Sequence, residues 1–268
     1  FFKQKTAYDI PLRLVGSEMC IRDRYLSLMK KEFDKIVRTR RSVRRYKKTD
    51  INDDDVKDSI HHASLAPNSS NLQLWEFYHV TSEELMNKVS EACFNQPAAR
   101  TANQFVVIVT RKDLWNKRRL FNINTIKNKT LNTSDKSLKN RDLALKYYKY
   151  LIPTIYKEFF GLLGYIRYIN AMIIGLFRPI YRQVTNSDMR VVAHKSSALA
   201  AQNFMLSMTS KGYDTCPMEG FDSLRVKRIL SLPYSSEINM VISCGIRDDN
   251  GVYGKQIRVP FDDIYFKR

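Results

Sequence analysis

The stretch Gln104–Thr110, which reads QFVVIVT, carries the strongest secondary-structure signal in the chain. Its interior is apolar and mostly β-branched, which favours a strand, and its length is typical of one. Polar residues do not alternate with apolar ones, as they would in a strand with one face in water. We therefore predict that this segment is a central strand of a sheet, buried on both faces.

Two other segments have the pattern of strands. They are Trp75–Val80 and Ile238–Cys244, of which the second reads INMVISC and is again mostly apolar. Helical patterns alternate with these strands, but no GxGxxG or GxxxxGK[ST] motif follows any of them. This absence argues against a Rossmann or P-loop nucleotide site. We predict an α+β fold in which helices flank a central sheet.

Four helices are predicted from their start and stop signals. The helix over Asn52–Ala66 has Asn52 as its N-cap and acidic residues in its first turn, where they suit the helix dipole. Its residues Val56, Ile60 and Ala63 share one apolar face. The other three helices follow the capping-box sequence Thr81–Glu84 with Leu85 and Val89 inward, cover Ala193–Lys211 before Gly212, and cover Asp222–Leu230.

The composition is that of a globular and strongly basic protein. The chain has 268 residues, of which 44% are hydrophobic, and a formal net charge of +18. Cys93, Cys216 and Cys244 are scattered without CxxC spacing, which argues against a disulfide scaffold or zinc site and suits a reducing compartment. The adjacent His61 and His62 would point about 100° apart on a helix, so we predict no metal site.

The first 24 residues differ in kind from the rest of the chain. They include FFKQKTAYDI and VGSEMCIRDR, which resemble translated sequencing-adapter sequence. They lack the apolar core and the cleavage site of a secretory signal. We expect residues 1–24 to be a non-native extension and residues 25–268 to form a single domain.

Two polar segments have the chemistry to hold a flat, phosphorylated cofactor. The first, Arg40–Arg44, reads RRSVR and offers guanidinium and hydroxyl donors that suit a phosphate. In an extended chain Arg40, Ser42 and Arg44 would share a side. The second, Pro67–Asn71, places amides and hydroxyls in a turn after a helix. The simpler alternatives are a solvated basic edge and an ordinary helix-to-strand loop.

These segments, as RRSVRRY and APNSSNLQLW, resemble the opening of the nitroreductase family of FMN-dependent oxidoreductases. Further along, Cys216–Asp222 resembles the family's Pro-x-Glu-Gly-Phe turn, and Arg258–Pro260 resembles its Arg-x-Pro motif. The resemblance implies a nitroreductase-like fold with a central mixed or antiparallel sheet. It also implies a homodimer with FMN at the subunit interface.

The resemblance assigns roles to individual residues. Arg40, Ser42 and Arg258 would bind the FMN phosphate. Arg44 would lie at the N1 and O2 edge of the flavin ring, where a cation stabilises the charge of the reduced form. The complete set of cofactor-binding residues that the resemblance implies is Arg40, Arg41, Ser42, Arg44, Pro67, Asn68, Ser69, Asn71, Asn95, Pro217, Glu219, Gly220 and Arg258.

The resemblance also implies a mechanism. The backbone of Glu219 and Gly220 would lie near flavin N5, and no side chain would be catalytic. NADH or NADPH would deliver hydride, and a nitro compound, quinone or similar acceptor would then take the same place, in a ping-pong sequence. Asn95 is assigned by its spacing to the strand Gln104–Thr110, and a helix C-cap is the alternative.

Most of the positive charge lies in residues 111–182. There, sixteen Lys and Arg residues stand against four acidic residues, which gives +12 of the +18. Within this region Phe159–Phe177 is apolar apart from Arg167 and Asn170. We predict an insertion at about 111–190 and favour a lid or subunit contact over the flavin. A basic, apolar helix pair on an anionic membrane surface and a transmembrane span are the alternatives.

Other functions stay open at this point. One is a related FMN enzyme with a specific substrate, such as a reductive dehalogenase or a ring dehydrogenase. Another is a basic protein that binds a membrane surface or nucleic acid, although no nucleic-acid motif accompanies the charge. We expect a small-molecule acceptor and no nucleic acid as partner. We also expect a cytoplasmic location, with peripheral membrane contact through residues 111–182 as an open possibility.

Overall fold

The computed structural model describes residues 29–128 and 135–268. The chain divides into two compact units, one ending at Arg40 and the other covering Arg41–Arg268. The described part of the first unit contains helix α1, at 29–39. The predicted non-native extension, residues 1–24, lies outside the described residues.

The second unit is built on a four-stranded antiparallel sheet. Its strands are β1 (Trp75–Val80), β2 (Gln104–Thr110), β3 (Asp214–Met218) and β4 (Glu237–Gly245). Their order across the sheet is β1-β2-β4-β3, and each neighbouring pair is antiparallel. The predicted α+β fold is confirmed, and of the two sheet types expected, this one is antiparallel.

Strand β2 is central, as its sequence predicts. All seven of its residues are buried. Val106 and Ile108 point into one core, whereas Phe105, Val107 and Val109 point into the core on the opposite face. Both faces of the sheet are covered by helices, which explains why the strand has no polar alternation.

Strand β3 was not predicted. The sequence analysis assigned Cys216–Asp222 to a turn, but Cys216, Pro217 and Met218 belong to the strand and the turn begins at Glu219. Proline has no N–H to donate to a neighbouring strand. Because β3 is at the edge of the sheet, it has a strand neighbour on one side only, and such edge strands tolerate proline. A short segment containing Asp, Thr and Pro lacks the apolar run that identified the other strands.

Helices account for most of the remaining chain. In the second unit the described helices are α2 (Asp53–Ser64), α3 (Glu83–Ala92), α4 (Pro97–Arg100), α5 (Trp115–Asn128), α6 (Asp135–Lys146), α7 (Ile152–Tyr156), α8 (Leu162–Ile174), α9 (Asn186–Ser210) and α10 (Ser223–Ile229). A π-helical turn, Tyr147–Leu151, joins α6 to α7. The chain from α5 to α8 forms most of the predicted insertion.

Most of the predicted helices are confirmed, and their starts differ from the predicted ones in two places. Asn52 caps α2, with its side-chain oxygen accepting from the Asp54 N–H at 2.8 Å. Helix α9 starts seven residues before the predicted Ala193, because Thr185 and Asp188 form a capping box there. The capping box predicted for α3 is wrong. Its N-cap is Ser82, without a side-chain cap bond, and Glu84 pairs with Lys88 instead.

Three apolar clusters hold these layers together. On one face of the sheet α2 and α9 pack through residues such as Val56 and Phe204. On the other face α3 and α10 pack through Val89 and Val226. The third cluster lies beside the sheet, where residues of α7 and α9 enclose Leu72 and Leu74. It anchors the chain that leads from the polar segment Pro67–Asn71 into β1.

Candidate functional site

The first polar segment lies along the edge of β3. Ser42 forms an isolated bridge with Thr215, and the Val43 N–H donates to the Thr215 carbonyl at 3.1 Å. The Val43 side chain is fully buried, so in this extended chain the side chains of Ser42 and Arg44 point away from the core. Arg40 is the last residue of the first unit, and its N–H donates to the Ile36 carbonyl of α1.

The segment Gly251–Gly254 contacts the residues Arg41 and Arg44. The Arg44 N–H donates to the Gly251 carbonyl at 2.7 Å, and its guanidinium lies 5.2 Å from the centre of the Tyr253 ring. The Arg41 guanidinium donates to the Gly254 carbonyl at 2.9 Å. The structure therefore brings Arg41 and Arg44 beside the segment Gly251–Gly254. Arg258 is exposed and donates to the neighbouring Ile257 carbonyl.

The Glu219-Gly220 turn directly follows β3 and is exposed. The Gln96 side-chain amide donates to the Gly220 carbonyl at 3.0 Å, which holds the turn from behind. A Cβ atom built on Gly220 would meet no atom within 4 Å, so the outer side of the turn is open. Sequence reasoning did not find Gln96, because a long-range contact to a backbone carbonyl leaves no local pattern.

Asn95 has its polar groups engaged at the end of α3. Its backbone is left-handed, with φ of 47°, and its N–H donates to the Ser90 carbonyl at 2.9 Å. Its side-chain oxygen accepts from the Ser90 hydroxyl at 3.1 Å. These contacts correspond to the helix-ending alternative, although the C-cap itself is Cys93. A role for Asn95 toward a cofactor stays a prediction.

The second polar segment, Pro67–Asn71, forms a tight loop before β1. Ser70, Asn71 and Gln73 all have left-handed backbones, with φ of 56°, 48° and 48°. Such conformations cost about 1–3 kcal/mol each for residues other than glycine and persist only where the surroundings enforce them. Three of them within four residues identify this loop as a strained, tightly determined part of the molecule.

Side chains of the insertion enforce this loop conformation. The Asn122 amide donates to the Asn71 carbonyl at 2.8 Å, and the Tyr148 hydroxyl donates to the Ser70 carbonyl at 2.9 Å. The Tyr147 hydroxyl lies 2.6 Å from the Ser70 hydroxyl. Burial raises the pKa of Tyr148. The part of the insertion formed by α5 and the π turn therefore supports the loop.

A groove separates the loop from helix α9. Its volume is about 330 Å³, and its walls include Pro67, Asn68 and Ser69 on the loop side. Lys195, on the α9 side, places an exposed cation at the groove. The Ser69 N–H donates to the Ser196 hydroxyl at 3.4 Å. Apolar walls with polar groups and one cation suit a flat, polar-edged ligand.

The predicted cofactor residues form two groups that one chain keeps apart. Ser42 and Gly220 are beside β3, at one edge of the sheet, whereas Asn68 and Asn71 precede β1, at the other edge. Three strand spacings separate the edges, or about 14 Å. We call these groups the β3-edge half-site and the β1-edge half-site.

The described residues contain neither a cluster of metal ligands nor a membrane-spanning helix. Across residues 29–128 and 135–268, no three His, Cys, Asp or Glu side chains are grouped so that they could hold a metal ion. Within the same ranges, no helix has both the length and the apolar character needed to cross a membrane. The segment predicted as a borderline span contains α8, which is 13 residues long.

Known proteins resemble this chain over most of its length. The family model described as the nitroreductase family matches residues 37–246, which include both half-sites and end before Arg258. The 4-nitrobenzoate reductase of Pseudomonas putida is 25% identical over 244 residues, 88% of this chain and 93% of that protein.

Solved structures show the same fold. A nitroreductase family protein from Streptococcus pneumoniae has a TM-score of 0.61 and 20% identity, covering 88% of this chain and 100% of its own. The NADPH:FMN oxidoreductase of Vibrio harveyi, complexed with NAD+, has a TM-score of 0.55 and 18% identity, covering 88% and 76%.

Proposed function

Because this chain belongs to the nitroreductase family, we propose that it is an FMN-dependent oxidoreductase with NADH or NADPH as electron donor. FMN, when bound, supplies the hydride chemistry, which lies beyond the reach of ordinary side chains. The acceptor is a nitro compound, a quinone or a similar small molecule. Donor and acceptor occupy the same place in turn, so the reaction is ping-pong.

The observation that carries this proposal is the pair of half-sites on opposite sheet edges. The β3-edge half-site offers guanidinium and hydroxyl donors for a phosphate, and the β1-edge half-site offers amides and hydroxyls around a groove. Neither half alone can surround a flavin. We infer that two copies of the chain form a homodimer and that each FMN lies between the β3-edge half-site of one copy and the β1-edge half-site of the other.

Each half-site has residues for a specific part of the cofactor. Ser42 and Arg258, together with Arg40 as assigned by the motif alone, would bind the phosphate. The cation of Arg44 would stabilise negative charge at one edge of the ring. The open outer side of Gly220 leaves room for a ring to approach the backbone.

Two of the similar proteins support the proposed acceptor and cofactors. The Pseudomonas putida relative is named for the reduction of a nitroaromatic acid, which favours a nitro compound as acceptor. The Vibrio harveyi protein is named for FMN and NADPH and was solved with NAD+. The cytoplasmic location expected from the scattered cysteines stays a prediction.

A test of the function needs only purified protein. We expect the preparation to be yellow, to release FMN on denaturation, and to lose its visible absorbance when NADH or NADPH is added without oxygen. Oxygen-free addition of a nitroaromatic acid or a quinone should restore the absorbance. Colourless protein that takes up no FMN during dialysis against it would contradict the proposal.

A further inference from the structure

Helix α8 leaves most of its surface to solvent although it is largely apolar. It packs against the rest of the unit through a narrow strip that includes the buried residues Gly164 and Ala171. Phe160, just before the helix, is 97% exposed, and Phe177, just after it, is 85% exposed. The large apolar side chains exposed on the helix include Leu162, Tyr165, Ile166, Ile169, Met172 and Ile173.

The single charged residue of α8 is turned away from this surface. The Arg167 guanidinium forms an ion pair with Glu158, and both side chains are mostly buried. It also donates to the Lys157 carbonyl at 2.8 Å and to the Val184 carbonyl at 3.0 Å. The outer surface of α8 therefore has no charge, and most of its exposed side chains are apolar. Large apolar surfaces of this kind mark interaction sites.

In the sequence, cationic residues both precede and follow the apolar segment that contains α8. Lys149 and Lys157 precede it, Arg178 and Arg182 follow it, and all four are exposed. Between Asp142 and Asp188 the sequence has one acidic residue, which is the one already paired with Arg167. The surface thus combines apolar side chains with positive charge that no local carboxylate neutralises.

We propose that α8 binds the surface of membranes that contain anionic phospholipids. The helix lies parallel to the bilayer, with its apolar side chains at the boundary of the acyl chains and the flanking cations among the headgroups. Its 13 residues span about 20 Å, which is short of the roughly 30 Å hydrocarbon core, so the helix rests on the bilayer without crossing it. Exposed aromatic residues such as Tyr165 suit this interfacial depth.

The charge distribution favours a membrane over a second copy of the chain. In a symmetric contact of α8 with α8 of a second copy, the same patch of each copy would lie face to face. The flanking cations would then approach one another without carboxylates between them, and like charges repel. Anionic headgroups supply the opposite charge.

Cosedimentation with vesicles tests the proposal. Full-length protein, as purified, is mixed with vesicles of phosphatidylcholine alone or of phosphatidylcholine with phosphatidylglycerol. We expect most of the protein to sediment with the mixed vesicles and little with phosphatidylcholine. The variant Ile169→Glu should bind the mixed vesicles about tenfold more weakly, because a carboxylate replaces an exposed apolar side chain that the bilayer would cover.

Leu224→Glu is the matched control. Leu224 is on α10 and is 54% exposed, against 55% for Ile169, so both changes are sterically equivalent surface substitutions. Its vesicle binding should equal that of the wild type, and both variants should keep the wild-type melting curve. Wild-type protein that binds neither vesicle, or binds both equally, would overturn the proposal. So would an Ile169→Glu variant that binds normally but has lost its dimer.

Discussion

At the scale of single residues, the strain in the loop before β1 and the open space at Gly220 are complementary features. Ser70, Asn71 and Gln73 keep left-handed backbones at a cost of about 1–3 kcal/mol each, and hydrogen bonds from α5 and the π turn hold the loop in this conformation. Gly220 is in a turn whose outer side nothing in its own chain fills. Both properties are expected of residues that meet a bound ligand.

Gly220→Val should weaken FMN binding and leave the fold intact. A side chain at this position meets no atom of the chain, so the melting temperature should stay within a few degrees of the wild type. The same side chain would enter the space proposed for the flavin, and we expect FMN to dissociate about tenfold more readily. Fluorescence titration with FMN measures the change.

The neighbouring change Glu219→Gln is the control for this variant. The proposed contact at the turn is made by the backbone, so removing the Glu219 charge should change FMN affinity by less than about threefold. An equal loss of affinity in both variants would place the important group on the side chain and would contradict the assignment.

At the scale of elements, the predicted insertion has two separate parts. Helix α5 and the π turn Tyr147–Leu151 bind the carbonyls of the loop before β1, so they belong to the β1-edge half-site. Helix α8 has its own exposed apolar surface and is held by Arg167 and Glu158. The lid or subunit contact over the flavin that the sequence predicts for this insertion stays a prediction.

Tyr148→Phe tests the first of these parts. The change removes the hydroxyl that donates to the Ser70 carbonyl and keeps the ring. Loss of one hydrogen bond of this kind costs about 1 kcal/mol, and the freed carbonyl loosens the strained loop. We expect a lower free energy of unfolding in urea and a severalfold weaker FMN affinity.

Tyr150→Phe, in the same π turn, is the matched control because Tyr150 is 69% exposed. Its unfolding curve and FMN affinity should equal those of the wild type. If Tyr148→Phe lowered stability but left FMN affinity unchanged, the loop would have no role in the cofactor site.

At the scale of the whole molecule, the order β1-β2-β4-β3 determines how the site can be assembled. It places the two half-sites about 14 Å apart, at opposite edges of one sheet. In the proposed homodimer, the β3-edge half-site of one copy and the β1-edge half-site of the other would hold FMN between them.

Mixing two inactive variants tests this arrangement. Arg44→Ala impairs the β3-edge half-site and Asn71→Ala the β1-edge half-site, so each homodimer should bind FMN poorly. In a mixed dimer one of the two sites has both changes and the other has neither. After the variants are unfolded together and refolded, we expect about a quarter of the wild-type FMN content. No recovery above that of the separate variants would show that each site is built from one chain.

Local sequence patterns were enough to identify the segments that become the buried framework. QFVVIVT could only be a central strand, because its apolar run requires cover on both faces, and Asn52 and Gly212 marked helix ends through local hydrogen bonding and backbone freedom. The motifs from Arg40 to Gly220 identified the family, which the match over residues 37–246 confirms. Signals of this kind depend on residues that are close in the sequence, so they can be recognised before the fold is known.

Features that depend on contacts between distant parts of the chain become visible only in the folded protein. Strand β3 exists because β4 pairs with it, and its own residues carry little strand signal. The contacts of Gln96 with Gly220 and of Tyr148 with Ser70 join residues 124 and 78 positions apart. The Arg167 side chain likewise points inward because it pairs with Glu158, and this pairing leaves the exposed surface of α8 uncharged. Such pairings are set by packing in three dimensions, which a linear pattern does not encode.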